Sequence, residues 1–258
     1  MLLRLPRWAP VPATRGPAWE PVRVTPTVRP TIQRTASARA YRGHSVHAAP
    51  GVHEYAVTLV RAALPDGGRV LEVGAGCGAL ALRLGDAGFD VVPTDLFPPH
   101  DWIHRLDLDH PEWTEDTEGP FDLVVSVETL EHVENPRQVL RSVRALLRPG
   151  GRLVVSTPNV THPHSLLKTV LRGAPVFFGP RHYYEPGHIT MLPDWMLTEH
   201  VRQAGFDQIE VRRAGSMDYT GLRRRVHRVE LAVLRALGLR QRADHGEGVC
   251  TFVTAVAV

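Results

Sequence analysis

The sequence predicts an α/β fold, a doubly wound and mostly parallel sheet with helices on its faces. Three observations carry this. From Tyr41 onward, short apolar runs alternate with helical spacings. Two of the runs, Leu123–Val127 and Leu153–Ser156, lack a polar alternation, as strands covered on both faces should. The first run feeds a glycine-rich turn at Gly74, Gly76 and Gly78 that opens a helix, so free N–H groups are on offer at the end of a strand.

Taken in order, the strands are expected at Arg69–Val73, Asp90–Thr94, a short piece near Ile103–Leu106, Phe121–Val127, Gly151–Thr157, Gln208–Arg213 and Val249–Val256. The first carries Glu72 two residues before the turn, the second ends beside Asp95, and the third precedes Asp107. The fourth ends at Ser126 and Glu128, and the fifth is entered through Leu147-Arg-Pro-Gly-Gly151, a structural turn. Helices are expected at Val52–Ala63, Ala79–Ala87, Pro136–Leu147 and Asp194–Ala204.

Two stretches interrupt the alternation. Residues 161–187 are rich in aromatic residues, His, Pro and Gly. In residues 219–242, Leu222, Val226, Val229, Val233 and Leu237 are spaced as one stripe of a helix, with Arg223, Arg224, Arg225 and Arg228 largely off it. The main expectation for this helix is a solvated basic face over the core. A lid, a dimer contact or an anionic-membrane contact are the alternatives.

Composition narrows the classes. At 258 residues and 43% apolar, the chain can bury one large core. No apolar run approaches the ~20 residues that span a bilayer, which excludes an integral membrane segment. Two cysteines cannot make a disulfide framework, and a reducing, cytoplasmic setting is expected. Residues 1–40 hold seven Arg against Glu20, a net of +6, leaving −3 for the rest of a chain that totals +3. The basic balance thus belongs to a Pro- and Arg-rich tail that reads as disordered, either a targeting segment or an over-long start. Residues 41–258 form the globular domain, and nucleic-acid binding by it is not expected.

The glycine turn alone says that a nucleotide-like ligand sits at the end of the first strand. Gly74, Gly76 and Ala79 also satisfy a dinucleotide fingerprint. The fuller pattern is Glu72, the three glycines, Asp95 23 residues after Glu72, Asp107, then Glu128-Thr-Leu-Glu131-His132-Val133 and Leu147–Gly151. This set resembles class I S-adenosylmethionine-dependent methyltransferases, especially the branch with the ubiquinone-pathway O-methyltransferases, over about Val52 to Phe206.

The resemblance implies a seven-stranded sheet whose last strand, Val249–Val256, is antiparallel. It implies S-adenosyl-L-methionine as cofactor, with Glu72, Gly74, Gly76 and Gly78 at its methionine and ribose end. Asp95 would hold the ribose and Asp107 the adenine, with Asp109 competing. Leu96 and Leu108 would sandwich the ring, and Ser126 and Glu128 would face the reactive end. Some relatives are similar in holding a divalent metal with an acid, acid, His set like Glu128, Glu131 and His132; no metal is assigned from the sequence. Pro93 and Phe97-Pro98-Pro99 depart from the family pattern, as does the long connection before the last strand.

His132 and His188 are the candidate catalytic groups for a protonated acceptor. Tyr41, His44, His47 and His53 are candidates for folding over the cofactor, and Cys77 reads as a packing residue. The expected function is methylation of a small molecule, foremost at oxygen of a phenol, sugar or similar metabolite; a homodimer is left open. An NAD(P)-dependent oxidoreductase and a non-catalytic cofactor-binding module are the alternatives.

Overall fold

In a computed structural model, the described residues are 40–217 except 116, 248–258, and scattered positions between 225 and 236. They begin with a small antiparallel hairpin, β1 (Ala40–Tyr41) and β2 (His44–Ser45). The alternation follows: α1 (Val52–Ala63), β3 (Arg69–Val73), α2 (Ala79–Asp86), β4 (Asp90–Asp95), β5 (His104–Arg105) and β6 (Phe121–Val127). A single 3-10 turn at Leu130–His132 leads to α3 (Pro136–Leu146) and β7 (Leu147–Pro158). Then come α4 (Pro163–Arg172), α5 (Pro180–Tyr184), α6 (Asp194–Gln203), β8 (Phe206–Ala214) and β9 (Cys250–Ala257).

The large sheet has seven strands in the order β5-β4-β3-β6-β7-β9-β8, with β9 antiparallel to both neighbours. This is the doubly wound sheet that the sequence predicts, with the reversed last strand that the resemblance implies. Because side chains alternate along each strand, the two faces fill differently. Leu71, Val124 and Leu153 pack with Leu140 of α3 and Leu197 of α6. Val70, Leu123 and Val154 pack with Val60 of α1 and Leu80 of α2. The chain returns from β5 at the sheet's edge to β6 beside β3, so the strand order switches next to the glycine turn, where open α/β sheets bind ligands.

Local chemistry explains several boundaries. The Asn135 side chain accepts the Gln138 N–H at 3.1 Å and Pro136 occupies the first turn, which together start α3. Pro93 costs no ladder bond. Thr94 turns its carbonyl to the β3 side, accepting from Gly74 and Ala75, so Pro93 points toward the β5 side. There β5 pairs only with Thr94 and Asp95, and the position is effectively an edge.

One expectation is corrected, and others fall outside the described residues. Residues 161–187 contain α4 and α5; their His- and Pro-rich start conceals a cap in which His162 Nδ1 accepts the His164 N–H. The tail, residues 1–39, lies outside the described residues, as do Leu222, Leu237, Arg223 and Arg224 of the expected stripe. Val226, Val229 and Val233 are helical and exposed, so these positions do not lie over the core.

The right-hand half of the sheet is locked by a buried ion pair. Asp194, at the start of α6, bonds Arg213 of β8 and accepts the Thr251 hydroxyl of β9 at 2.9 Å. The side chains of Asp194 and Arg213 are 14% and 7% exposed. Removing the acid takes the carboxylate from a buried guanidinium, so Asp194→Ala is expected to lower unfolding free energy by about 3–5 kcal/mol in urea titrations.

Candidate functional site

A cavity of about 910 Å³ opens over the C-terminal ends of β3, β4 and β6, large enough for a cofactor and part of a second ligand. Parallel pairing places Val73 opposite Thr94, so the glycine turn and the end of β4 leave the sheet side by side. Asp95 Oδ2 accepts the Gly76 N–H at 2.7 Å, and Oδ1 accepts the Phe97 N–H at 3.0 Å. A carboxylate has about four acceptor sites, so both oxygens keep capacity for hydroxyl donors. Leu96, Phe97, Leu106, Asp107 and Leu108 continue the wall. Asp107 Oδ1 accepts the Asp109 N–H and Asp109 Oδ1 accepts the Glu134 N–H, so each keeps its other oxygen for a ligand.

Glu72 lies beneath the turn, 3% exposed, with Oε2 unpartnered. Burial, and then the neighbouring Asp95, pushes its carboxyl up to about 8. The hairpin side of the cavity is formed by Ser45, His47, Ala48, Ala49 and His53. It is strapped to α2 by Tyr41 and Arg42, which bond Asp86 at 2.5 and 2.8 Å. His44 Nδ1 donates to the Cys77 carbonyl at 2.9 Å. Burial, then Arg83, holds His53 down at about 4.

The far side of the cavity collects acids and imidazoles. Glu128 follows β6 in the left-handed region, at φ 52, a strained conformation for a non-glycine residue. Its Oε1 accepts the Ser156 hydroxyl at 3.0 Å. Burial raises its carboxyl to about 7, and Glu128 in turn adds to the burial that pushes the adjacent Cys250 thiol up. Glu131 is 1% exposed, with neither carboxyl oxygen partnered. Burial and then Glu128 hold it well above the carboxylate range. His132 and His188 meet edge to face with ring centroids 4.7 Å apart. Burial lowers both, His188 to about 4, so both imidazoles are neutral near pH 7.

Ten of the twelve expected site residues line this one cavity: Glu72, Gly74, Gly76, Asp95, Leu96, Asp107, Leu108, Glu128, His132 and His188. Two do not. Ser126 faces the other side of β6, since Val125 and Val127 belong to the α1–α2 face and the side chain alternates. Gly78 starts α2 under Trp102, whose ring would lie 2.1 Å from any Cβ there. Gly74 is likewise bare for packing as well as for the cavity, because a Cβ would meet Thr129 Oγ1 at 2.2 Å. Sequence reasoning missed Glu131 as a buried group, Thr129, Cys250 and the loop residues Phe177 and His182. Of these only Glu131 had a signal, its position beside His132.

The cavity wall holds six carboxyl groups (Glu72, Asp95, Asp107, Asp109, Glu128 and Glu131) and, among the described residues, no Lys or Arg. Acids at both ends and bare backbone at Gly76 fit a cationic sulfonium nucleoside. Across residues 47–211, the sequence matches the family model described as "Methyltransferase domain". The chain belongs to this family. It is a class I S-adenosylmethionine-dependent methyltransferase in sequence and fold, and the nicotinamide alternative falls away.

The methyltransferase is 36% identical over 109 residues to a ubiquinone biosynthesis O-methyltransferase of Xanthomonas axonopodis pv. citri, covering 38% of this chain and 46% of that one. With the enzyme of the same name from Bordetella avium it shares 32% over 155 residues, 55% of this chain and 63% of the other. The chain thus spans about half the length of the curated relatives it matches. A solved S-adenosylmethionine-dependent methyltransferase from Archaeoglobus fulgidus superposes with a TM-score of 0.53 at 16% identity. That match covers 79% of this chain and 94% of the other, a likeness of fold. Among the described residues no helix is long and apolar enough to cross a membrane.

Glu72 gives the methyltransferase a pH signature. Between the ordinary 4.5 and about 8, the folded protein keeps a proton that the unfolded chain releases, so stability falls as pH rises through that window. Glu128 and Glu131 add to the same decline. In thermal melts without cofactor, Glu72→Gln is expected to raise Tm relative to the parent more at pH 8 than at pH 5.

Proposed function

We propose that this chain transfers a methyl group from S-adenosylmethionine to an oxygen of a small hydroxylated molecule, such as a phenol or sugar. The observation that carries the reading is that one cavity has the Gly76–Asp95 contact at one end and the Glu131–His132–His188 cluster at the other. The O-methyltransferase names of the relatives support oxygen as the acceptor atom. Two free cysteines, Cys77 and Cys250, suit a reducing compartment such as the cytoplasm.

When bound, the cofactor supplies an activated methyl group on a sulfonium that is already a good leaving group. The chain's residues then have three tasks. Asp95 is suited to accept the ribose hydroxyls, with Leu96 and Leu108 flanking the adenine and Asp107 accepting from its amino group. Glu72 supports the turn from below. At the opposite end, the acceptor hydroxyl meets the acid–imidazole cluster, which brings the oxygen to its reactive, deprotonated form. The hydroxyl proton would leave through this cluster, while the bound cofactor would supply the methyl and keep the electron pair of the broken bond on its sulfur. Orientation contributes most of the acceleration, because no group on the protein forms a bond to the methyl.

Two variants test the division of labour. Asp95→Ala should weaken S-adenosylhomocysteine binding about 10- to 100-fold in calorimetry, as expected for loss of a charged hydrogen bond. Unchanged affinity would show that the adenosyl group lies elsewhere. His132→Ala should lower turnover by about 10²-fold or more while that affinity changes little. The acceptor itself is sought with a labelled-methyl screen of phenols, sugars and lipid intermediates. Binding of the cofactor with no labelled product from any pool would favour a non-catalytic module.

A further inference from the structure

The acid–imidazole end of the cavity presents hydrogen-bond acceptors. Glu131 is 1% exposed, and neither of its carboxyl oxygens has a donor. A buried oxygen in that state is costly until a ligand supplies the missing hydrogen. His188 Nδ1 lies 2.8 Å from the Phe177 carbonyl, and His132 Nδ1 lies 3.2 Å from that of Gly187. A carbonyl only accepts, so both Nδ1 atoms carry hydrogen, and each neutral ring keeps a lone pair at Nε2. Neighbouring donors are already committed. The Ser156 hydroxyl and the Cys250 thiol bond Glu128, and the Thr129 hydroxyl bonds the Val73 and Val127 carbonyls.

The spacing of the acceptors fits a positively charged amine. One oxygen of Glu131 and one ring nitrogen from each histidine lie within 4.8 Å of one another. Acceptors gathered round an ammonium, each at the usual hydrogen-bond distance of about 2.9 Å, stand about 4.7 Å apart. An ammonium brings several donors and a full positive charge, which answers both the acceptor set and the carboxyl-rich wall. Phe177, held in the left-handed region at φ 69, lines the same wall, its ring centroid 6.5 Å from that of His188. An aromatic face beside a cation adds attraction. The fold assembles this seat before any ligand arrives. The Ile189 and Thr190 N–H groups donate to the Glu131 carbonyl at 2.9 and 3.0 Å, and the Thr190 hydroxyl donates to the Val133 carbonyl at 2.7 Å, which brings His188 to Glu131.

We propose that the acceptor is a cationic hydroxy-amine, whose ammonium is seated by Glu131 and His188 while His132 accepts a hydrogen bond from the hydroxyl to be methylated. Asp95 acts electrostatically on His132, whereas His188 is governed by its burial, His132 and His182, so His132 stands on the cofactor side of the pair. The inference rests on the methyl-transfer function proposed above and narrows its acceptor to an alcohol or phenol bearing an aliphatic amine. A carboxylate or phosphate in the same place would face Glu128 and Glu131 with no Lys or Arg among the described lining residues to offset them.

The test is calorimetry on the full chain, alone and saturated with S-adenosylhomocysteine, against two matched sets of probes. One set is dopamine, N-acetyldopamine and dihydrocaffeate; the other is glucosamine, N-acetylglucosamine and glucuronate. In at least one set the amine is expected to bind at least about tenfold more tightly than its N-acetyl form, as for hydrogen bonds to a charged group, and the carboxylate more weakly still. Glu131→Gln should cut that preference about tenfold or more, and retained S-adenosylhomocysteine binding shows that the variant is folded. His188→Ala carries the same test where Glu131→Gln does not fold. Amines that bind no more tightly than their neutral partners in both sets, or do not bind, overturn the proposal, as does a preference that the folded variants retain. Labelled methyl transferred to the N-acetyl probes as fast as to the amines overturns the ammonium seat and leaves the proposed function standing. An amine preference in a protein that binds no S-adenosylhomocysteine supports the seat and overturns that function.

Discussion

The in-register parallel pairing of β3 with β4 delivers Asp95 to the Gly76 amide, 2.7 Å away, and the rest of the site is arranged around that contact. A parallel pair sends both chains out of the sheet at the same edge. The last residue of one strand and the turn after the other are therefore neighbours whatever the loops do. A slip of one residue would turn Glu72, now beneath the glycine turn, toward the α3 side and bring its apolar neighbours out of their layers. The apolar cores on both faces hold the register, so the geometry of a polar site is set by hydrophobic packing some distance from it.

The site stores unfavourable electrostatics that its scaffold must outweigh. Glu72, Glu128 and Glu131 are all buried, and all three carboxyls are pushed up. Glu128 adds a left-handed backbone conformation. Such features persist where the surroundings over-determine them, and they concentrate at functional sites. Here the surroundings are β6 and β7, paired over five consecutive positions, and two hydrogen bonds with Ser156, whose hydroxyl accepts the Glu128 N–H and donates to the Glu128 carboxyl. A ligand carrying positive charge meets a cavity already prepared to favour it.

Much of this was legible in the sequence, for identifiable reasons. β3, β6 and α1 fall where the apolar runs and helical spacing place them, because these elements are buried on regular faces and their periodicity is undiluted. Asp95 and the glycines were legible because their spacing is fixed by strand length. Ser126 lies off the cavity wall because spacing cannot tell which side of a strand tip a side chain takes. Gly78 lies off the wall as well, since bare backbone serves packing, here against Trp102, as readily as binding. Glu131 was named beside His132, but nothing local signals its burial under the Phe177–Thr190 segment, whose Ile189 and Thr190 N–H groups bond its carbonyl. α4 and α5 were hidden by Pro and His at their starts, where side-chain capping and the tolerance of the first turn for Pro override propensity.

The connection from β8 to β9 has its two ends pinned together. Ala214 pairs with Cys250 across the antiparallel ladder, and the Gly248 backbone lies against Arg213 and Ala214 so tightly that a Cβ there would come within 2.7 Å. With the exit and re-entry points fixed by the ladder, doubling the length of what lies between them costs only about 0.6 kcal/mol of closure entropy. A change in the length of that connection is therefore tolerated while β3 and β4, across the sheet, keep the Gly76–Asp95 alignment.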